Sequence, residues 1–188
     1  MRLLLVRLLY ICCTPIVWVI MMVQGINFRM NSLFCGLPFL SKQRGSKYSI
    51  GSNCKFLSTS WSNLIGINHR CIISTSSPNA VLEIGNNCGF SGVTIWCFKS
   101  IKIGDNVKVG ANSIIMDGDA HQDDDRAGDN KEVVIGNNVW IGANVTVLKG
   151  VHIGDNSVIG MGSIVTKDIP SNSVAVGNPC RVVKQLQK

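Results

Sequence analysis

Acidic residues are missing from the first 50 positions of this chain, where Arg2, Arg7, Arg29, Lys42, Arg44 and Lys47 all fall. That imbalance accounts for much of the +7 formal charge and makes the N-terminal end a cationic segment around an apolar one. Charged residues of any kind are scarce, at 15% against 46% apolar, which excludes a disordered chain and leaves a single domain with a core and an appendage. The eight cysteines, at 12, 13, 35, 54, 71, 88, 97 and 180, include no C-x-x-C pair, which argues against a zinc ribbon or a redox couple. They read as small buried thiols in a reducing compartment. Histidines number three, His69, His121 and His152, with no two close enough in sequence for a multi-histidine zinc centre.

Long apolar runs are also few. The main one, Leu8 to Val23, is uncharged over 16 residues, short of the roughly 20 that span a bilayer, and Pro15 lies in its middle. No small-x-small cleavage site precedes Asn27 and no lipobox precedes Cys12, so a cleaved signal peptide is disfavoured. Residues 1–26 are expected to form an apolar helix that contacts a membrane surface through residues 1–24, because the flanking arginines and lysines suit anionic headgroups. A helix packed on the end of the protein itself is the alternative.

What the sequence has in abundance is a repeat. From Ile135 an aliphatic residue recurs every six positions, at Ile141, Val147, Ile153, Ile159 and Val165, usually followed by glycine. The fifth place of each hexad holds Val139, Val145, Val151, Ser157, Ser163 and Ile169, all small or β-branched. The same phase appears at Ile103, Val109 and Ile115, and more weakly at Ile50 and Ile84. A period of six suits neither a helix nor a flat antiparallel sheet. It suits a triangular parallel coil of about eighteen residues per turn, aliphatic inside, with steps such as Gly136-Asn137-Asn138 at the corners. The coil domain is expected over residues 27–176, with a tail at 177–188.

Between Ile115 and Ile135 the spacing is 20 and the hexads stop, in the stretch DGDAHQDDDRAGDNKE. This loop near 117–132 carries seven of the eleven acidic residues around one histidine, His121. Loops on a rigid solenoid are where chemistry tends to lie. An EF-hand would need glycine and glutamate at fixed places after its first aspartate, and no aspartate here offers both. The plainer readings are a solvated acidic face and a surface histidine beside carboxylates.

From Val134 to Leu186 the segment VIGNNVWIGANVTVLKGVHIGDNSVIGMGSIVTKDIPSNSVAVGNPCRVVKQL resembles the galactoside, maltose and nodulation acetyltransferases and the O-acetyltransferases of capsule and exopolysaccharide assembly. The D-x-D-x-H pattern at Asp117, Asp119 and His121 extends the resemblance, whereas residues 1–49 carry little of it. The resemblance implies an all-β, left-handed parallel β-helix that uses acetyl-CoA as co-substrate without a metal. It implies His121 as catalytic base, Trp140 as a wall of the pantetheine channel and the Ala143 N–H as oxyanion donor. Thr166, Lys167, Arg181 and Lys184 would hold CoA, past a corner where Met161 replaces the usual alanine. Ser91 and Asp119 are candidates for the acceptor side, and His69 is a weaker one; turn roles suit Ser91 and His69 at least as well.

The chemistry asks for the same parts independently of the resemblance. A sugar hydroxyl attacks a thioester slowly unless a base takes its proton, and imidazole titrates in the right range. The three histidines, His69, His121 and His152, do not have the close spacing of a γ-type carbonic anhydrase, and a serine acetyltransferase lacks room for its helical domain. An amino-sugar nucleotide N-acetyltransferase and a non-catalytic β-helix scaffold remain as alternatives. The expectation is a cytoplasmic homotrimer, peripheral at the inner face of the membrane. It would acetylate a sugar or glycan in surface polysaccharide or lipopolysaccharide assembly, with no nucleic-acid partner.

Overall fold

Aliphatic residues six apart fall on the same side of successive short strands when each strand is followed by a corner, and the computed structural model, which describes residues 2–121 and 123–187, has that arrangement. From Asn27 the chain passes through three sheets in rotation. The first stacks Asn27–Phe28, Lys47–Ile50, Val81–Ile84, Ser100–Ile103, Val133–Ile135 and His152–Ile153. The second stacks Leu33–Cys35, Lys55–Leu57, Gly89–Ser91, Lys108–Val109, Trp140–Ile141, Val158–Ile159 and Ser173–Val176. The third stacks Phe39–Ser41, Ile72–Thr75, Thr94–Cys97, Ile114–Met116, Thr146–Val147 and Ile164–Val165. These neighbours all pair in parallel.

Registered pairing turns the hexad positions into interior columns. In the second sheet Phe34, Phe56 and Phe90 stack ring on ring at centroid distances of 4.8 and 5.0 Å. The same register continues through Val109, Ile141, Ile159 and Ala175, so the column passes from aromatic to aliphatic to small side chains along the axis. At the corner between the first and second sheets, Asn106, Asn138, Asn156 and Asn172 take φ of 58°, 56°, 57° and 58°, in the left-handed region that asparagine tolerates. Their side-chain amides bond from one coil to the next at 3.0–3.1 Å. Glycine is needed beside them for closeness: a Cβ on Gly51 would lie 2.6 Å from the Gly85 carbonyl oxygen.

The N-terminal helix runs Arg2–Val23, 22 residues, within the 1–26 span expected, and extends beyond the uncharged run at its N-terminal end. Neither Arg7 nor Pro15 ends it, and at 1.5 Å per residue it is about 33 Å long. One face closes the end of the coil: Val17 and Met21 are fully buried, and the Thr14 hydroxyl accepts the Phe34 N–H at 3.0 Å. The opposite face leaves Leu4, Leu8, Ile11 and Val19 exposed, and Leu3 is exposed near the helix's start. Cys12 lies on that outer face, which corrects the reading of every cysteine as buried; the other seven are.

Two further features were not foreseen. Residues 58–71 leave the coil between Lys55–Leu57 and Ile72–Thr75 as a second excursion. The C-terminal segment folds back as Arg181–Gln185, antiparallel to Ser173–Val176, and ends the second sheet.

Candidate active site

The chain leaves the third sheet at Met116 and re-enters the first at Val133, and its acidic residues pin the path between. Asp117 is fully buried and accepts the backbone N–H groups of Phe98, Lys99 and Ser100 at 2.6, 2.7 and 2.6 Å. Three converging amides make a nest that an ionised carboxylate fits. Burial and then the neighbouring Asp117 charge push the Cys97 thiol far above its ordinary range. Glu132 accepts from the Ser100 hydroxyl and the Lys102 ammonium, each at 2.7 Å, and the Lys102 hydrogen bond holds its carboxyl below the usual range. Asp119 pairs with Lys149 at 2.6 Å, and Lys149 also donates to the Gly128 carbonyl at 3.0 Å. The acidic loop is therefore a set of anchors, not the uniformly solvated face the sequence suggested. Among the described residues no group of three or more His, Cys, Asp or Glu is placed to hold a metal.

His121 stands exposed on this loop, its carbonyl accepting the Asp124 N–H at 3.2 Å. The loop departs from the edge where the third sheet turns into the first. Ile115 pairs with Val147 and Val147 with Val165, so Lys149, Thr166 and Lys167 follow along that edge. Thr166 and Lys167 are exposed.

The other candidates lie elsewhere. Trp140 is 60% exposed on the outer face of the second sheet. Strand register aligns Lys55, Gly89, Lys108, Trp140, Val158, Val174 and Lys184 in one outward row along the axis. Arg181, also exposed, belongs to the same final strand as Lys184. Ala143 and Met161 occupy successive turns of the corner between the second and third sheets, joined by the Gly162 N–H to the Ala143 carbonyl at 2.9 Å. Ala143 is buried and Met161 is exposed. The third sheet thus separates two groups: His121, Thr166 and Lys167 on one edge, and Trp140, Ala143, Met161, Arg181 and Lys184 on the far corner and face. A single chain does not bring His121 to Trp140.

Ser91 lies under the edge of a cleft beside Trp140, buried, with its hydroxyl accepting from the Asn63 side-chain amide at 3.1 Å. His69 belongs to the 58–71 excursion, its Nδ1 2.8 Å from the Arg70 carbonyl oxygen, and His152 faces out from the first sheet. Sequence reading missed Tyr10, Lys55 and Lys108, which line the same cleft. Their alignment with Trp140 depends on where both excursions leave and rejoin the coil, which the hexads alone do not mark.

Comparison with known proteins places this geometry in context. Residues 132–167 match the family model described as bacterial transferase hexapeptide (six repeats), and residues 81–117 match hexapeptide repeat of succinyl-transferase. The galactoside O-acetyltransferase of Escherichia coli (strain K12) is 49% identical over 92 residues, 46% of this chain and 45% of that protein. A putative acetyltransferase of Staphylococcus aureus (strain COL) is 47% identical over 114 residues, 46% of this chain and 56% of its own length. The chain thus spans about half the length of the curated relatives it matches. A maltose O-acetyltransferase structure from Clostridium difficile 630 is 31% identical, covering 100% of this chain and 85% of that one, with a TM-score of 0.48. The Bacillus cereus N-acyltransferase AntD, solved with dTDP and 3-hydroxybutyryl-CoA, shares the fold at a TM-score of 0.69 and 17% identity, over 90% of this chain and 88% of its own.

The buried carboxylate generates a direct test. Asp117→Ala leaves three N–H groups without their acceptor and is expected to cost roughly 2–5 kcal/mol in denaturant unfolding. Hydrogen exchange at residues 98–100 should accelerate with it. Unchanged stability and protection would contradict the anchoring role.

Proposed function

Because the chain belongs to the bacterial hexapeptide-repeat transferases, we propose that it moves an acetyl group from acetyl-CoA to a sugar hydroxyl on a left-handed parallel β-helix, with His121 as general base. The observation that carries this reading is the placing of His121: exposed, on a loop held by the buried Asp117 and the ion pairs of Asp119 and Glu132, on the edge that also presents Thr166 and Lys167. A base must be both open to substrate and fixed in position, and this loop supplies both.

In the proposed step the acceptor oxygen forms a bond to the thioester carbonyl carbon while the His121 imidazole takes the hydroxyl proton. The Ala143 N–H donates to the developing oxyanion. Collapse breaks the C–S bond, and the proton passes from the imidazole to the CoA sulfur, so the histidine ends neutral as it began. Trp140, Met161, Thr166, Lys167, Arg181 and Lys184 would hold the CoA. Of these, Trp140, Met161, Arg181 and Lys184 fall across the third sheet from His121, so the reading requires a second copy: one subunit offers its His121 edge, with Thr166 and Lys167, and its neighbour the Trp140 face, as a cyclic homotrimer allows.

The N-terminal helix supports a place at the inner face of the cytoplasmic membrane, with an acceptor from surface polysaccharide or lipopolysaccharide assembly. Its span Leu3–Val23 has a mean hydropathy of 2.3 and is only 17% buried. No acidic residue precedes Glu83. Cationic flanks around an exposed apolar helix suit an anionic lipid surface.

His121→Ala is expected to lower turnover by about 10² to 10⁴, with CoA affinity and melting temperature near wild type and His152→Ala as an unaffected control. Near-normal turnover on an authentic acceptor would place the base elsewhere. For the membrane, truncating the helix is a poor test because Val17 and Met21 seal the coil. Substituting the exposed Leu4, Leu8 and Ile11 together by glutamate should instead release the protein from phosphatidylglycerol vesicles without loss of fold. Equal binding by both forms would sink membrane contact.

A further inference from the structure

The cleft beside Trp140 has a feature that acetyl transfer alone does not use. Of the row Lys55, Gly89, Lys108 and Trp140, Gly89 is the gap: a Cβ built there meets nothing within 4 Å, and its φ lies outside the left-handed region. This is unlike the corner glycines, which coil stacking demands. Lys55 and Lys108 flank the gap two strand spacings apart, about 10 Å. The space is about 310 Å³, floored by Gly89 and Phe90, with Trp140 on one side and Tyr10 of the apolar helix on another. Among the described residues no carboxylate lines it. Among the described residues neither lysine has an ion-pair partner. Burial pushes the Tyr10 phenol up, which keeps it a neutral hydrogen-bond donor.

We propose that this cleft binds the diphosphate of the acceptor's carrier, with Lys55 and Lys108 as its clamps, so that the sugar is acetylated as a diphosphate ester and not as a free sugar. Two ammonium groups at this spacing, free of carboxylates and walled by aromatic rings, match a doubly charged group with an organic substituent on each side. The position fits along the axis. Lys184 stands three strand spacings beyond Trp140 in one direction and Lys55 three in the other, about 14 Å each. If CoA occupies the Lys184 side, the acceptor's anion falls on the Lys55 side. The inference rests on the acetyl-transfer reading for the identity of the esterified sugar, but the anion site is testable without it.

Isothermal titration of the full chain at saturating CoA, with inorganic pyrophosphate, uridine diphosphate and farnesyl diphosphate as probes, decides the matter. Pyrophosphate and at least one organic diphosphate should bind. Affinity should fall about tenfold or more in Lys55→Gln/Lys108→Gln and vanish in Gly89→Leu, which fills the gap, while CoA affinity and melting temperature hold. Preference for uridine diphosphate identifies a nucleotide carrier, and preference for farnesyl diphosphate an isoprenoid one; either supports the proposal. Absence of binding, binding indifferent to the three substitutions, or displacement of the probes by further CoA would overturn it. Lysine-dependent diphosphate binding by a protein that transfers no acetyl group would leave this site standing and remove the acetyl-transfer reading alone.

Discussion

Stacking of each residue on its counterpart one turn away, at the strand spacing of about 4.8 Å, is the constraint on which the rest of this structure depends. It requires small or aliphatic residues at each interior step and asparagine or glycine where the backbone turns, as at Asn138 and Gly51. It also dictates where anything else can be attached. A side chain on a strand can only point inward to the column or outward to a row, and an insertion can leave only at a corner. The His121 loop, the 58–71 excursion and the helix at the open end occupy the positions this rule permits.

The same constraint explains which parts were legible in the sequence. The columns were readable because the period is local: Ile135, Ile141 and Val147 announce one another within a dozen or so residues. The asparagine corners followed for the same reason. The N-terminal helix was readable as an apolar segment within residues 1–26, but the contacts that hold it to the coil, through Thr14, Val17 and Met21, were not, because no periodic pattern marks their partners. The second excursion was hidden because the hexads before Ile84 are weak, so residues 58–71 interrupt nothing conspicuous.

The candidate site was legible by residue type more than by placement. His121 stands out as the single histidine of an acidic loop, but the work of the aspartates did not, since the partners of Asp117 are backbone amides of residues 98–100 that no side-chain pattern signals. Likewise Lys55 and Lys108 look like ordinary surface lysines until register puts them on either side of Gly89. Nothing in the linear order reveals that the third sheet stands between His121 and Trp140, and that separation shapes the whole functional account.

On the proposed reading, with His121 as base on one edge and CoA held against the Trp140 face, a working site forms only across two copies of the chain. Subunit mixing tests this most directly. His121→Ala and Trp140→Ala variants, each impaired alone, are dissociated, combined in equal amounts and reassembled. If the site is shared, pairs in which one subunit supplies His121 and the other Trp140 recover activity, up to about one quarter of wild type for random trimers. Mixtures no more active than the separate variants, with exchange of subunits verified, would contradict the shared site and the mechanism built on it.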